Sequence, residues 1–176
     1  AGLVATPEAA DADILIVNTC SFIESAIEES IDAILELARH KTNGRCRRLI
    51  VAGCLPERFR EEIVPTLPEV DAFLGTGACS QIVAASLDSF SEEQRVLLPS
   101  PDANPLPQHG VPRIMPASPS VYLKITEGCN RRCTYCIIPK LKGRLRSRPM
   151  EDILAEAKDL IFAGYREIVL IGQDTG

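Results

Sequence analysis

DADILIVNTCSFIESAIEESIDAILELARHKTNGRCRRLIVAGC, residues 11–54, is the stretch from which the fold can be read. ILIV (14–17) is a continuous apolar run ending at Asn18, Thr19 and Cys20, the pattern of a strand buried on both faces. Ser21 followed by Glu24 has capping-box spacing and predicts a helix start. That helix is expected to reach about residue 40, with Phe22, Ile23, Ala26, Ile27, Ile31, Ile34, Leu35 and Ala38 on its apolar face. Asn43–Gly44 stops it, and LIVA (49–52) is a second strand ending at Gly53–Cys54. The alternation continues downstream. Pro56 opens a short helix that stops near Pro65, DAFL (71–74) is a third strand, and residues 80–88 have helical character. Strands alternating with helices predict an α/β unit with a parallel sheet. Three strands are few for an independent sheet and the chain opens without Met, so a further strand is expected before residue 1.

Outside this stretch, composition narrows the function classes. The 176 residues are 45% hydrophobic and 24% charged, which excludes a disordered or collagen-like chain. No apolar run approaches the roughly 18 residues of a membrane span, and no signal segment opens the chain. Trp is absent and aromatics are 5%, against an aromatic nucleic-acid-stacking platform. Two histidines, His40 near a helix end and His109 in a proline-rich stretch, give no support to a hydrolase triad. The seven cysteines are an odd number without an export signal, which favours metal or catalytic thiols in a reducing cytoplasm over a disulfide framework. Charge is unevenly spread. Residues 1–127 carry −8, residues 128–150 carry +7 with no acidic side chain, and residues 151–176 carry −4.

The basic block contains the tightest cysteine group. Residues 99–119 hold seven of the thirteen prolines and read as an extended linker. VYLKIT (121–126) is then a strand, residues 127–149 a cysteine loop, 151–163 a helix ended by Gly164, and EIVLIG (167–172) a further strand. Cys129, Cys133 and Cys136 are spaced C-x-x-x-C-x-x-C. Three thiolates can hold one face of an iron–sulfur cube and leave one iron open, as catalytic metal sites do. Other readings of the spacing are a structural zinc site, an electron-transfer cluster with a fourth thiol from Cys20 or Cys54, and inert thiols. Cys20 and Cys54 each follow a strand and belong at the carboxyl edge of the sheet, where ligands bind. Spacing alone offers Cys79, after the third strand, as their companion, while Cys46 in GRCRR reads as a surface or half-buried thiol. GTGACS (75–80) lacks the third glycine of a dinucleotide fingerprint.

EGCNRRCTYCIIPKLKGRLRSRP (127–149), with Tyr135 as the aromatic beside the last cysteine, resembles the radical S-adenosylmethionine (SAM) signature in its methylthiotransferase branch. DADILIVNTCSFIESA (11–26) and VAGCLPE (51–57) resemble the N-terminal domain of that family. The resemblance implies a flavodoxin-like methylthiotransferase domain over residues 1–97, lacking its first strand and first cluster cysteine. A Pro-rich linker follows at 98–120, and then the first βαβ unit of a radical SAM partial (β/α) barrel at 121–176, truncated at its end. It implies two [4Fe–4S] clusters and SAM. Cys129, Cys133 and Cys136 would hold the SAM-binding cluster, and Cys20 and Cys54 the second, with its third ligand missing. The family assigns no ligand at Cys79.

Tyr135 would lie beside the SAM adenine, and Gln173 and Asp174 would contact its amino or ribose groups. Arg144, Arg146 and Arg148 could meet a carboxylate or a phosphate; Lys142 stands where the family usually has Arg. The implied chemistry is radical C–H activation, sulfur insertion and SAM-dependent methyl transfer. NTCSFIESAIEES, CNRRCTYCIIP and IGQDTG resemble the ribosomal-protein branch, which implies the β-carbon of an aspartate in small-subunit ribosomal protein uS12 as target. The alternative branch modifies adenosine-37 in tRNA, and a non-catalytic iron–sulfur or zinc-binding module is the further alternative. Implied partners are uS12 or the small ribosomal subunit and an electron donor such as flavodoxin or ferredoxin, in the cytoplasm, with no membrane.

Overall fold

The computed structural model describes residues 2–87, 95–111, 113 and 115–175. Four apolar strands form the first sheet: β1 (Ile14–Thr19), β2 (Arg48–Gly53), β3 (Ala72–Leu74) and β4 (Val96–Leu97). They lie in that order and all pair in parallel, with Ile14 opposite Arg48, Ile50 opposite Ala72 and Phe73 opposite Val96. Successive side chains of β2 serve opposite faces, so this run needs a core on each side. Leu49 and Val51 pack with Ile27, Ile34 and Phe73, and Ile50 and Ala52 with Leu74, Ala78 and Ala85. Helix α1 (Glu24–Ala38) supplies Ile27 and Ile34 to the first face, and α4 (Ile82–Ser86) supplies Ala85 to the second. Between them lie α2 (His40–Asn43) and α3 (Cys54–Phe59).

Several local expectations are corrected. The Ser21/Glu24 capping box does not form. Helix α1 begins at Glu24 without a side-chain cap, because the Ser21 hydroxyl donates to the Cys54 carbonyl at 2.9 Å. The buried stripe of α1 is Ile27, Ser30, Ile34 and Ala38, while Phe22, Ile23 and Leu35 stay exposed. Helix α3 starts at Cys54, two residues before Pro56, and a 3-10 segment containing Pro65 continues it to Thr66. The helix expected at 80–88 is a 3-10 turn (Thr76–Gln81) followed by α4; Asp88 lies outside the described residues. Strand β4 adds a fourth member that two residues are too few to announce. Cys46 is buried, its thiol donating to the Arg48 carbonyl at 3.4 Å.

The chain divides into two compact units, Ala1–Asn104 and Pro105–Gly176. In the second, β5 (Ser120–Lys124) and β8 (Glu167–Ile171) pair in parallel, with Val121 opposite Ile168. Between them come β6 (Thr126–Glu127), α5 (Ile138–Lys142), β7 (Arg146–Ser147) and α6 (Met150–Phe162). The α6 crossover buries Leu160 against Val121 and Leu123, a small core. Strand β8 is apolar yet open, with Leu170 56% exposed. The sequence is thus an α/β chain: a parallel sheet followed by a single βαβ unit.

Candidate metal centre

Strand β5 delivers the chain to the cysteine loop at its carboxyl end, where parallel α/β folds carry their chemistry. Strands β6 and β7 close the loop's stem as an antiparallel pair, with Thr126 opposite Ser147 and Glu127 opposite Arg146. Gly128 takes φ +76°, and a Cβ there would collide with the Arg144 carbonyl, so only glycine lets the two sides of the loop approach so closely. Cys129 N–H donates to the Gly143 carbonyl at 3.2 Å, and Cys136 N–H to the Cys133 carbonyl at 3.1 Å. Cys129 is buried, Cys136 half-buried and Cys133 exposed.

The end of β8 reaches back to this loop. Gln173 Oε1 accepts from Gly128 N at 2.9 Å, and the Asp174 carbonyl accepts from the Thr126 hydroxyl at 3.0 Å. Asp174 Oδ2 lies 3.0 Å from Arg131 Nε and 3.9 Å from Cys129 Sγ. The hydrogen bond and charge of Asp174 push the Arg131 pKa further up. Both residues expected at the cofactor therefore also bind the cysteine loop directly, contacts that the sequence reading missed. Tyr135 is 86% exposed and serves no core.

The three arginines after the loop separate. Arg148 is 4% exposed, pairs with Asp152 and Glu156, and donates to the Lys124 carbonyl at 2.8 Å. Burial disfavours its charge, and the carboxylate hydrogen bonds more than offset this and raise its pKa. Arg148 thus pins α6 to the end of β5 and is withdrawn from any substrate. Arg144 and Arg146 lie on the loop's return. Glu127, buried at the stem, pairs with Lys124 and Lys142. His109 belongs to the same unit. Its backbone N–H donates to Asp152 at 2.7 Å and its ring pairs with Asp159, away from the thiols.

In the first unit, parallel register sets Thr19 opposite Gly53, so Cys20 and Cys54 leave neighbouring strands at the same edge. The Thr19 hydroxyl donates to the Ala52 carbonyl at 2.8 Å and accepts from Leu55 N at 3.1 Å. Ser30 of α1 accepts from Cys20 N at 3.3 Å, and its one hydroxyl proton is shared between the Ala26 carbonyl at 2.7 Å and the Cys20 carbonyl at 3.0 Å. Gly53, at φ +102°, has no room for a Cβ, which would stand 2.8 Å from Asn18 Oδ1 and the Thr19 carbonyl. Buried Glu57 accepts from Thr76 N at 3.0 Å and so ties α3 to the turn bearing Cys79, which is exposed. Among the described residues, no three His, Cys, Asp or Glu side chains are gathered closely enough to hold an ion. The donor chemistry nonetheless suits iron–sulfur ligation: three thiols on one short loop, and an Arg131 N–H 3.4 Å from Cys129 Sγ.

Residues 1–75 match a family described as uncharacterized protein family UPF0004, and residues 123–176 match the radical SAM superfamily. The chain is 53% identical over 174 residues to a ribosomal protein uS12 methylthiotransferase RimO of Desulfosudis oleivorans, covering 99% of this chain and 40% of that protein. It is 50% identical to the protein of the same name from Syntrophus aciditrophicus, over 98% of this chain and 38% of that one. The Geobacter sulfurreducens protein of that name is also 50% identical, over 96% and 38%. The chain thus spans about two fifths of the length of these curated relatives. The radical SAM match implies a [4Fe–4S] cluster and SAM. No helix among the described residues is long and apolar enough to cross a membrane.

Proposed function

From a chain that belongs to the radical SAM methylthiotransferase family, we infer that the whole protein methylthiolates the β-carbon of an aspartate in ribosomal protein uS12. The observation that carries this reading is identity of 53% across 99% of the chain to a relative bearing that name. The cysteine loop at the carboxyl end of β5 supports it chemically. Cys129, Cys133 and Cys136 would hold the SAM-binding [4Fe–4S] cluster, leaving one iron for SAM. When bound, that cluster supplies the electron that cleaves SAM and opens radical C–H chemistry. The chain's residues do the rest. Gly128 lets the loop fold tightly, Gln173 fixes its first turn, and exposed Tyr135 is free to cover the adenine.

Cys20 and Cys54 would hold a second cluster at the sheet edge. Residues 1–97 and 121–176 would be the methylthiotransferase domain and the start of the radical SAM core, joined by the linker at 98–120. A flavodoxin or ferredoxin would donate electrons, in the cytoplasm. The test is mass spectrometry after expression of the full-length protein in a host lacking its own enzyme. A methylthio increment on the uS12 aspartate is expected, lost in Cys133→Ala. An increment on tRNA adenosine instead would overturn the substrate.

A further inference from the structure

We propose that Arg131 and Asp174 form a charge-compensating pair that positions Cys129 and sets the reduction potential of the cluster held by the loop. The proposal rests on the reading that Cys129, Cys133 and Cys136 ligate that cluster, and adds two residues that are not ligands.

Arg131 touches Cys129 through its backbone, with its N–H 3.4 Å from the sulfur. Its side chain meets Asp174 at 3.0 Å, and the same carboxylate oxygen lies 3.9 Å from the sulfur. Asp174 is held from both sides. Its carbonyl takes the buried Thr126 hydroxyl, and its neighbour Gln173 takes Gly128 N. Its side chain is 13% exposed and that of Arg131 is 67% exposed. With the Arg131 side chain open to solvent, screening keeps the pair's contribution to stability small, so folding alone gives it no strong purpose.

The chemistry at Cys129 gives it one. The Asp174 carboxylate lies 3.9 Å from Cys129 Sγ, so a cluster ligated through this sulfur would have a negative charge directly beside it. The Arg131 guanidinium offsets that negative charge, while the Arg131 backbone N–H stabilises charge on the sulfur. Hydrogen bonds to ligand sulfurs and net local charge are what set cluster potentials, and groups behind the ligands tune them.

The test uses the full-length protein with Cys20 and Cys54 replaced by Ala, so that one cluster reports. It is reconstituted anaerobically with iron and sulfide and titrated with dithionite, followed by EPR. Asp174→Asn is expected to shift the midpoint upward, because a positive charge is left uncompensated. Arg131→Gln is expected to shift it downward, and Arg131→Gln/Asp174→Asn to return it close to that of the parent. If a glutamine variant fails to fold, Arg131→Lys serves, with a smaller downward shift expected. Unchanged midpoints, or shifts of the same sign in both single variants, overturn the proposal and leave the cluster reading intact. A parent protein that takes up no iron overturns the cluster reading, and the proposal with it.

Discussion

The two thiol sites of this chain are built by opposite means. Cys20 and Cys54 lie far apart in sequence and are brought together by regular structure. Parallel register, the buried run of β2 from Leu49 to Gly53 and hydrogen bonds from Thr19, Ser21 and Ser30 set where they stand. Cys129, Cys133 and Cys136 are neighbours in sequence, and their loop has little core of its own. It is shaped by a glycine, a two-residue antiparallel stem and side chains arriving from the end of β8. A site on a sheet edge inherits the rigidity of its core. A site on a loop needs dedicated polar contacts, and those contacts then lie within reach of its chemistry.

Breaking the loop's support should have the largest effect. Arg148→Ala removes a buried cation that joins α6 to β5 and should cost about 3 kcal/mol. The expected result is a lower melting transition for residues 105–176, with the transition of the first unit unchanged by hydrogen exchange. At the sheet edge, Gly53→Ala forces a side chain into left-handed backbone against Asn18 and Thr19, costing about 2 kcal/mol. On the proposed assignment, iron bound through Cys20 and Cys54 in the full-length protein should fall while its SAM cleavage persists. The smallest effect is a pH dependence. The His109 N–H, and then Arg148, hold the Asp152 carboxyl below its ordinary value of 3.8. A depressed folded pKa contributes stability above that value and loses it as pH falls through the folded one. The second unit should weaken below that range, and Asp152→Asn should flatten the slope in acid melts.

The same contrast governs what could be read from the sequence. β1, β2 and β3 were legible because continuous apolar runs have few other fates, and the strand ends located Cys20 and Cys54. β4 was not, because Val96–Leu97 becomes a strand only through pairing with β3. Ser21 misled because its hydroxyl satisfied a tertiary partner, the Cys54 carbonyl, in place of its own helix. Cys46 misled because basic neighbours concealed a buried position. In the loop, spacing located the three thiols. The Arg131–Asp174 pair joins residues 43 apart, and no local pattern announces it.

The most direct measurement compares Cys133→Ala and Cys54→Ala in the full-length, anaerobically reconstituted protein, by iron content and by the response of the EPR signal to SAM. Cys133→Ala should lose roughly half the iron and all SAM response, whereas Cys54→Ala should lose the other half and keep the response. A Cys133→Ala protein whose reduced signal still responds to SAM would contradict the assignment of the loop as the SAM-binding centre.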